Sequence, residues 1–291
     1  LLHFLPAPIK GLIACLLFFE NTVFWCLALY LLALLRLIPV QAWRERCYRA
    51  MIWVAETWIA INSAEIAFLH NMKWNIHLPD GLSLEKSYLV ISNHQSWVDI
   101  VAIQHVLNRR IPFLRFFLKD QLRYVPFLGV AWKALDFPFM KRYSREFLEK
   151  HPEKRGEDLI ETKRACEKLR GKPISILNFL EGTRFSTKKQ ERMKSPFKHL
   201  LTPKTGGIAF VIEAMGDQFD SILDITIQYP NGAGSFWDLF TGRIPEITVW
   251  VESIPIPGNM LGGNYFGDDA FRSRMQTWIQ QIWLAKDQRL S

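Results

Sequence analysis

Apolar positions crowd the start of the chain and then break into short runs. From Ile9 to Ile38 the main interruption is Glu20-Asn21, which leaves Val23–Leu35 unbroken. That run alone is short for a membrane span. Joined to Leu12–Phe19 it is long enough, with Glu20 then in or near hydrocarbon. Residues 42–72 predict a second long helix, where Trp43, Met51, Trp53, Trp58 and Ile59 are interspersed with arginines. Tryptophans flanking an apolar segment fit a membrane interface. No small-residue cleavage site follows Leu35, which argues against a cleavable signal peptide. Arg36, Arg44, Arg46 and Arg49 favour a cytoplasmic location for the rest of the chain. The competing reading is a hydrophobic hairpin packed on a soluble core.

From Lys73 onward short apolar runs alternate with helical patterns. Strands are predicted at 74–78, 88–92, 137–140, 174–180, 223–229 and 247–251, and helices near 97–108, 121–134, 153–170, 204–215 and 268–286. The polar stretch "HPEKRGED" leads into the 153–170 helix. Such alternation predicts an α/β domain with a largely buried sheet. The chain therefore divides into a membrane-associated helical segment, 1–72, and an α/β domain, 73–291.

Composition sharpens this picture. The 291 residues are 49% apolar and 13% aromatic, with a formal net charge of +8 and a mean hydropathy of +0.02. That is apolar for a freely soluble protein and polar for a polytopic transporter. The basic excess suits phosphates or anionic lipid. No zinc spacing, RNP-type aromatics or basic-region heptad supports nucleic-acid binding. Cys15, Cys26, Cys47 and Cys166 form no C-x-x-C pair and read as structural thiols in a reducing compartment.

Candidate chemistry begins in "YLVISNHQSWVDI", where an apolar strand ends in Asn93-His94 and Asp99 comes five residues after the histidine. Five residues turn a helix by about 140°, so the two side chains share no helix face. They can meet if His94 lies in the strand-to-helix loop and Asp99 in the first helical turn. The carboxylate then fixes the imidazole tautomer and frees the other nitrogen as a base. With seven histidines in the chain, the spacing alone leaves a helix-start carboxylate beside an ordinary loop histidine equally open. There is no G-x-S-x-G, H-E-x-x-H or Walker A motif, and a metal site has no positive support.

A second strand, in "ISILNFLEGTRFS", ends in Glu181-Gly182-Thr183-Arg184. Gly182 permits close backbone approach to a ligand, Thr183 offers a hydroxyl, and Arg184 presents a fork suited to phosphate oxygens. Two strands ending in polar loops can build one site at one edge of an α/β sheet.

With both blocks read, the sequence resembles the glycerolipid acyltransferases, of the bacterial 1-acylglycerol-3-phosphate acyltransferase type. The resemblance covers about residues 88 to 230. It rests on N-H-x-x-x-x-D at 93–99, on "KDQLRYVPFLG" with Lys119, on "DFPFMKR" ending in Arg142, and on F-x-E-G-T-R at 179–184. It departs from the family at Asp136 (usually Gly), at Met140 (Ile), and at Ile225-Thr226-Ile227, where a proline is missing.

The resemblance implies a mixed buried sheet flanked by helices, behind a membrane-associated N-terminal hairpin. It implies His94 as base and Asp99 as its orienting partner. Arg142 and Arg184 would bind phosphate with help from Lys119, and Glu181, Gly182 and Thr183 would complete the substrate loop. No metal or resident cofactor is implied. The co-substrate would be acyl-CoA or acyl carrier protein, and the acceptor lysophosphatidic acid at the cytoplasmic side of a bacterial inner membrane. Alternatives are another lysophospholipid or glycerol 3-phosphate as acceptor, a lipid hydrolase, or a non-catalytic lipid-binding protein of the same fold.

Overall fold

The computed structural model describes residues 5–140 and 167–291. The two apolar segments are long helices, α1 (Ala7–Leu35) and α2 (Gln41–Leu69). Pro8 suits the first turn of α1, and Pro39 lies just past its end, as the missing N–H and fixed φ of proline favour. The helices form a hairpin clasped by polar groups. Asn21 Nδ2 donates to Asn62 Oδ1 (2.8 Å) and to the Trp58 carbonyl (3.1 Å).

Both helices pass a length-and-composition test for crossing a membrane. Leu12, Leu16, Phe19, Leu27, Leu31 and Leu34 form an exposed apolar face on α1, of the kind that meets a membrane or another protein. The covered face lies along the rest of the protein. Phe18 packs on Phe240 with ring centroids 4.8 Å apart, and Tyr30 donates to the Phe127 carbonyl (2.5 Å).

After residues 70–72 the chain enters a sheet. Its strands are β1 (Lys73–His77), β2 (Tyr88–Ser92), β3 (Leu114–Phe116), β6 (Ser175–Phe179), β7 (Ser221–Gln228) and β8 (Glu246–Ile254). The order is β1-β8-β7-β2-β6-β3, while β4 (Leu118–Lys119) and β5 (Phe139–Met140) pair separately. β7, β2, β6 and β3 run parallel; β8 is antiparallel to β7 and parallel to β1. The sheet is thus mixed, as expected from the resemblance.

The sheet is flanked by helices α3 (Val98–Leu107), α4 (Leu128–Ala134), α5 (Thr187–Met193), α6 (Thr205–Met215), α7 (Phe236–Thr241) and α8 (Asp269–Arg289). β2 is buried along its whole length. Its alternate residues feed two cores, because successive strand side chains point to opposite faces. Leu89 and Ile91 join Ile212, Met275 and Trp283 of α6 and α8. Tyr88 and Val90 join Ala102, Val106 and Ile66 of α3 and α2. A third core, with Leu29, Met51, Phe113 and Ala131, lies between the hairpin and α4.

Strand 88–92 and helices 204–215 and 97–108 lie within a residue of expectation. The helix expected over 121–134 is split. A 3-10 turn covers Asp120–Tyr124, and α4 starts only at Leu128. Pro126 pushes Val125 into extended geometry (φ −66°, ψ 124°), and Phe127 has φ +61°. Gly129 then presses against the Arg123 carbonyl where any side chain would collide. The 137–140 strand shrinks to two residues outside the main sheet. The 153–170 helix lies almost wholly outside the described residues, as do Arg142 and Cys166.

Candidate active site

The parallel strands β2, β6 and β7 end side by side, with Ser92 registered against Phe179 and Ile225. Three loops therefore leave one edge of the sheet. Asn93 continues the β2 ladder with its side chain. Its amide donates to the Ile227 carbonyl and accepts from the Ile227 N–H, both at 2.9 Å. This clasp fixes the point at which the chain turns out of the sheet, and the next residue is His94.

His94 Nδ1 lies 2.8 Å from Asp99 Oδ2. Asp99 stands in the first turn of α3, where it also accepts from the N–H groups of Gln95 (2.6 Å) and Ser96 (2.9 Å). A carboxylate at a helix start suits both these orphan donors and the helix dipole. Its other oxygen accepts from Tyr229 Oη at 2.6 Å. Asp99 is fully buried, whereas the His94 side chain is 13% exposed. The imidazole stacks on Phe179 at 4.0 Å between ring centroids. Among the described residues Nε2 has no hydrogen-bond partner. A histidine held this way can take a proton from a hydroxyl presented at Nε2.

The EGTR loop lies against this pair. Phe185 N–H donates to the His94 carbonyl at 2.7 Å. Glu181, which the resemblance assigns to the substrate loop, is fully buried. Its two oxygens accept from the backbone N–H of His94 (3.1 Å) and Leu201 (3.2 Å). It is a brace between loops, because both oxygens are occupied by main chain. Burial pushes its carboxyl up to about 8, against the pull of those two N–H groups.

Gly182 has φ +66°, with the Lys204 side chain packed over it. Lys189 Nζ donates to Thr183 Oγ1 and to the Arg184 carbonyl, both at 2.8 Å. Arg184 is exposed and lies over the Trp97 ring, 5.2 Å from its centroid. Arg184, Lys189 and Lys204 thus gather around one turn. Lys119 is exposed on β4 and has no hydrogen bond or ion pair among the described residues. The structure joins His94, Asp99 and the 181–184 loop; it does not tie Lys119 to them.

Sequence reading missed Tyr229, Lys189 and Lys204. Tyr229 carries a topological signal, since it is the first residue past the carboxyl end of β7, where α/β sheets place their sites. Burial, then the Asp99 charge and the hydrogen bond to it, push the phenol well above its usual value. Tyr229 is therefore a neutral donor to Asp99.

Beside Trp97 opens a cavity of about 360 Å³, lined mainly by apolar side chains of α1, α3, α4 and the 113–118 segment. Phe18, Leu29, Ile100, Phe116 and Trp132 are among them. Its size is that of a small-molecule site, and its lining suits hydrocarbon.

The mixed sheet thus brings an oriented histidine, a basic turn and an apolar cavity together at one edge. The acyltransferase family model matches residues 73–229, and the chain belongs to that family, in its glycerolipid branch. It is 25% identical over 226 residues to mouse 1-acyl-sn-glycerol-3-phosphate acyltransferase epsilon, covering 71% of this chain and 58% of the relative. It is 25% identical over 217 residues to the human delta enzyme, covering 70% and 52%. The chain thus spans a little over half the length of these relatives. The crystal structure of the lysophosphatidic acid acyltransferase PlsC from Thermotoga maritima shares the fold, with TM-score 0.54 at 15% identity over 95% of this chain and 97% of that one.

Proposed function

We propose that the chain transfers a fatty acyl group from a thioester donor, acyl-CoA or acyl carrier protein, to the free hydroxyl of lysophosphatidic acid, giving phosphatidic acid. The observation that carries this reading is the Asp99-anchored His94 with a free Nε2 beside a basic turn and an apolar cavity. His94 takes the hydroxyl proton as the oxygen attacks the thioester carbonyl. The C–O bond forms, the C–S bond breaks, and the proton passes from the imidazolium to the departing thiolate. Asp99 stabilises the transient imidazolium. The nucleophile belongs to the substrate, which accounts for a base and orienting acid with no protein nucleophile hydrogen-bonded to Nε2 among the described residues.

Arg184, with Lys189 and Lys204 behind it, holds the acceptor phosphate and so positions the hydroxyl. Arg142 and Lys119 would add to that charge. The cavity receives an acyl chain. The exposed face of α1 rests in lipid while its other face stays docked on the domain, at the cytoplasmic side of a bacterial inner membrane.

A substrate panel on the purified chain tests the reading. Lysophosphatidic acid should be acylated faster than lysophosphatidylcholine, glycerol 3-phosphate or monoacylglycerol. Equal use of all acceptors would remove the phosphate from the account. Thioester hydrolysis unaffected by any acceptor would indicate a hydrolase.

A further inference from the structure

The cavity beside Trp97 is not apolar throughout. Thr22 of α1, Asn62 of α2 and Gln104 of α3 stand among its hydrocarbon and aromatic side chains. A polar group walled in by hydrocarbon carries a cost unless it is hydrogen-bonded.

The Asn62 amide is only half paired. Asn21 Nδ2 reaches both the Trp58 carbonyl (3.1 Å) and Asn62 Oδ1 (2.8 Å). A carbonyl can only accept, so the Asn21 group is its NH2 and the Asn62 atom facing it is oxygen. That leaves the Asn62 NH2, which donates to nothing among the described residues. Asn62 is 6% exposed. Its NH2 is nevertheless not sealed in protein, so the space it meets is the cavity that Asn62 lines.

Two further groups share the wall. Thr22 Oγ1 accepts from Trp58 Nε1 (3.3 Å), and its own proton has no acceptor among the described residues. The half-buried Gln104 side chain makes no hydrogen bond among them. Trp97, Ile100 and Gln104 line the cavity from one face of α3. Gln104 comes two helical turns after Trp97, about 10 Å further along the axis. A chain whose carbonyl stood at His94 would pass these amides with its interior methylenes. Plain methylenes leave the amides unpaired. A hydroxyl on the chain accepts from the Asn62 NH2 and donates to the Gln104 side-chain oxygen.

We propose that the cavity selects a fatty chain hydroxylated near its middle, with the hydroxyl held by Asn62 and Gln104. The proposal rests on the acyl-transfer reading, which places a chain in this cavity. The chain can arrive on the donor or on the lysophospholipid, and the two are tested in separate arms. One arm compares stearoyl-CoA with its mid-chain hydroxystearoyl counterpart, using palmitoyl lysophosphatidic acid as acceptor. The other keeps stearoyl-CoA and puts the hydroxyl on the acceptor's chain. In one arm the full-length wild type should favour the hydroxylated chain by about tenfold in kcat/KM, because a site built for a hydroxyl rejects the analogue lacking it.

The readout is the ratio of the two chains within one protein, which general damage to the enzyme does not move. Asn62→Leu should abolish the preference. It also removes the Asn21 partner, so Gln104→Leu, which breaks no hydrogen bond among the described residues, is measured beside it and should lower the ratio at least about threefold. Equal use of plain and hydroxylated chains in both arms, or a ratio that Gln104→Leu leaves unchanged, overturns the proposal. Binding of free stearate and hydroxystearate to the full chain in lipid nanodiscs, by calorimetry, separates this site from the transfer reading. A wild type that transfers neither chain, yet binds hydroxystearate more tightly in a manner lost in Gln104→Leu, upholds the site and overturns the transfer reading. Equal binding of the two acids overturns the site.

Discussion

Replacing Asp99 by Asn isolates the charge behind His94. Asp99 accepts four hydrogen bonds, three at Oδ2 and one from Tyr229 at Oδ1. An asparagine must turn its carbonyl oxygen to the three donors, because an NH2 there would meet two backbone N–H groups. Its amide then faces Tyr229, whose hydroxyl can rotate to accept. The His94 tautomer is thereby kept, and the lost quantity is the negative charge. With about 4 Å between charge centres and an effective dielectric near 20, that charge stabilises an imidazolium by about 4 kcal/mol. The expected fall in kcat is about 10³-fold. Single-turnover acyl transfer to lysophosphatidic acid measures it, with acceptor affinity and melting temperature as controls expected to move little. A kcat within tenfold of wild type, in a protein that melts normally, would refute the reasoning.

Tyr229→Phe removes one donor to a fully buried carboxylate; kcat should drop roughly 3- to 30-fold with both KM values steady, and a parallel rise in KM would mean a wider structural role. Arg184→Ala should raise the KM for lysophosphatidic acid, with a loss of about 2–4 kcal/mol in kcat/KM. Arg184→Lys should rescue this in part, and monoacylglycerol turnover should change little; equal harm to both acceptors would withdraw Arg184 from the phosphate. Glu181 holds its proton to about 8 when folded, against an ordinary 4.5. The folded state thus binds the proton more tightly, and the stability tied to this group is full at low pH and declines as pH rises from about 4.5 through 8. Glu181→Gln should cost about 1–3 kcal/mol at low pH, since an amide cannot accept on both sides. It should also flatten that decline in denaturant melts, and an unaltered pH slope would contradict the burial effect.

The elements legible in the sequence were those marked by periodicity and position. β2 was legible because five apolar residues end abruptly in Asn93-His94. The meeting of His94 with Asp99 came from a strand-loop-helix step that the helical pattern after Trp97 already marked. Tyr229 was not legible, because its contact with Asp99 spans 130 residues and exists only through the pairing of β7 with β2. Glu181 was assigned to the substrate loop by resemblance alone; its bond to the Leu201 N–H joins residues 20 apart, which no local pattern records. β3 and β4 are too short to carry a period, and Pro126 broke a helix that apolar spacing alone would have continued. The cavity needed α1, α3 and α4 together, which no local pattern records.

The central claim is that His94 is the base for acylating a lysophospholipid hydroxyl. The most direct measurement is phosphatidic acid formation by the purified full chain, wild type beside His94→Ala, with lysophosphatidic acid binding measured on both. The wild type should form product, His94→Ala at least about 10² less, and the two should bind the acceptor with similar affinity. Near-normal turnover by His94→Ala would contradict it.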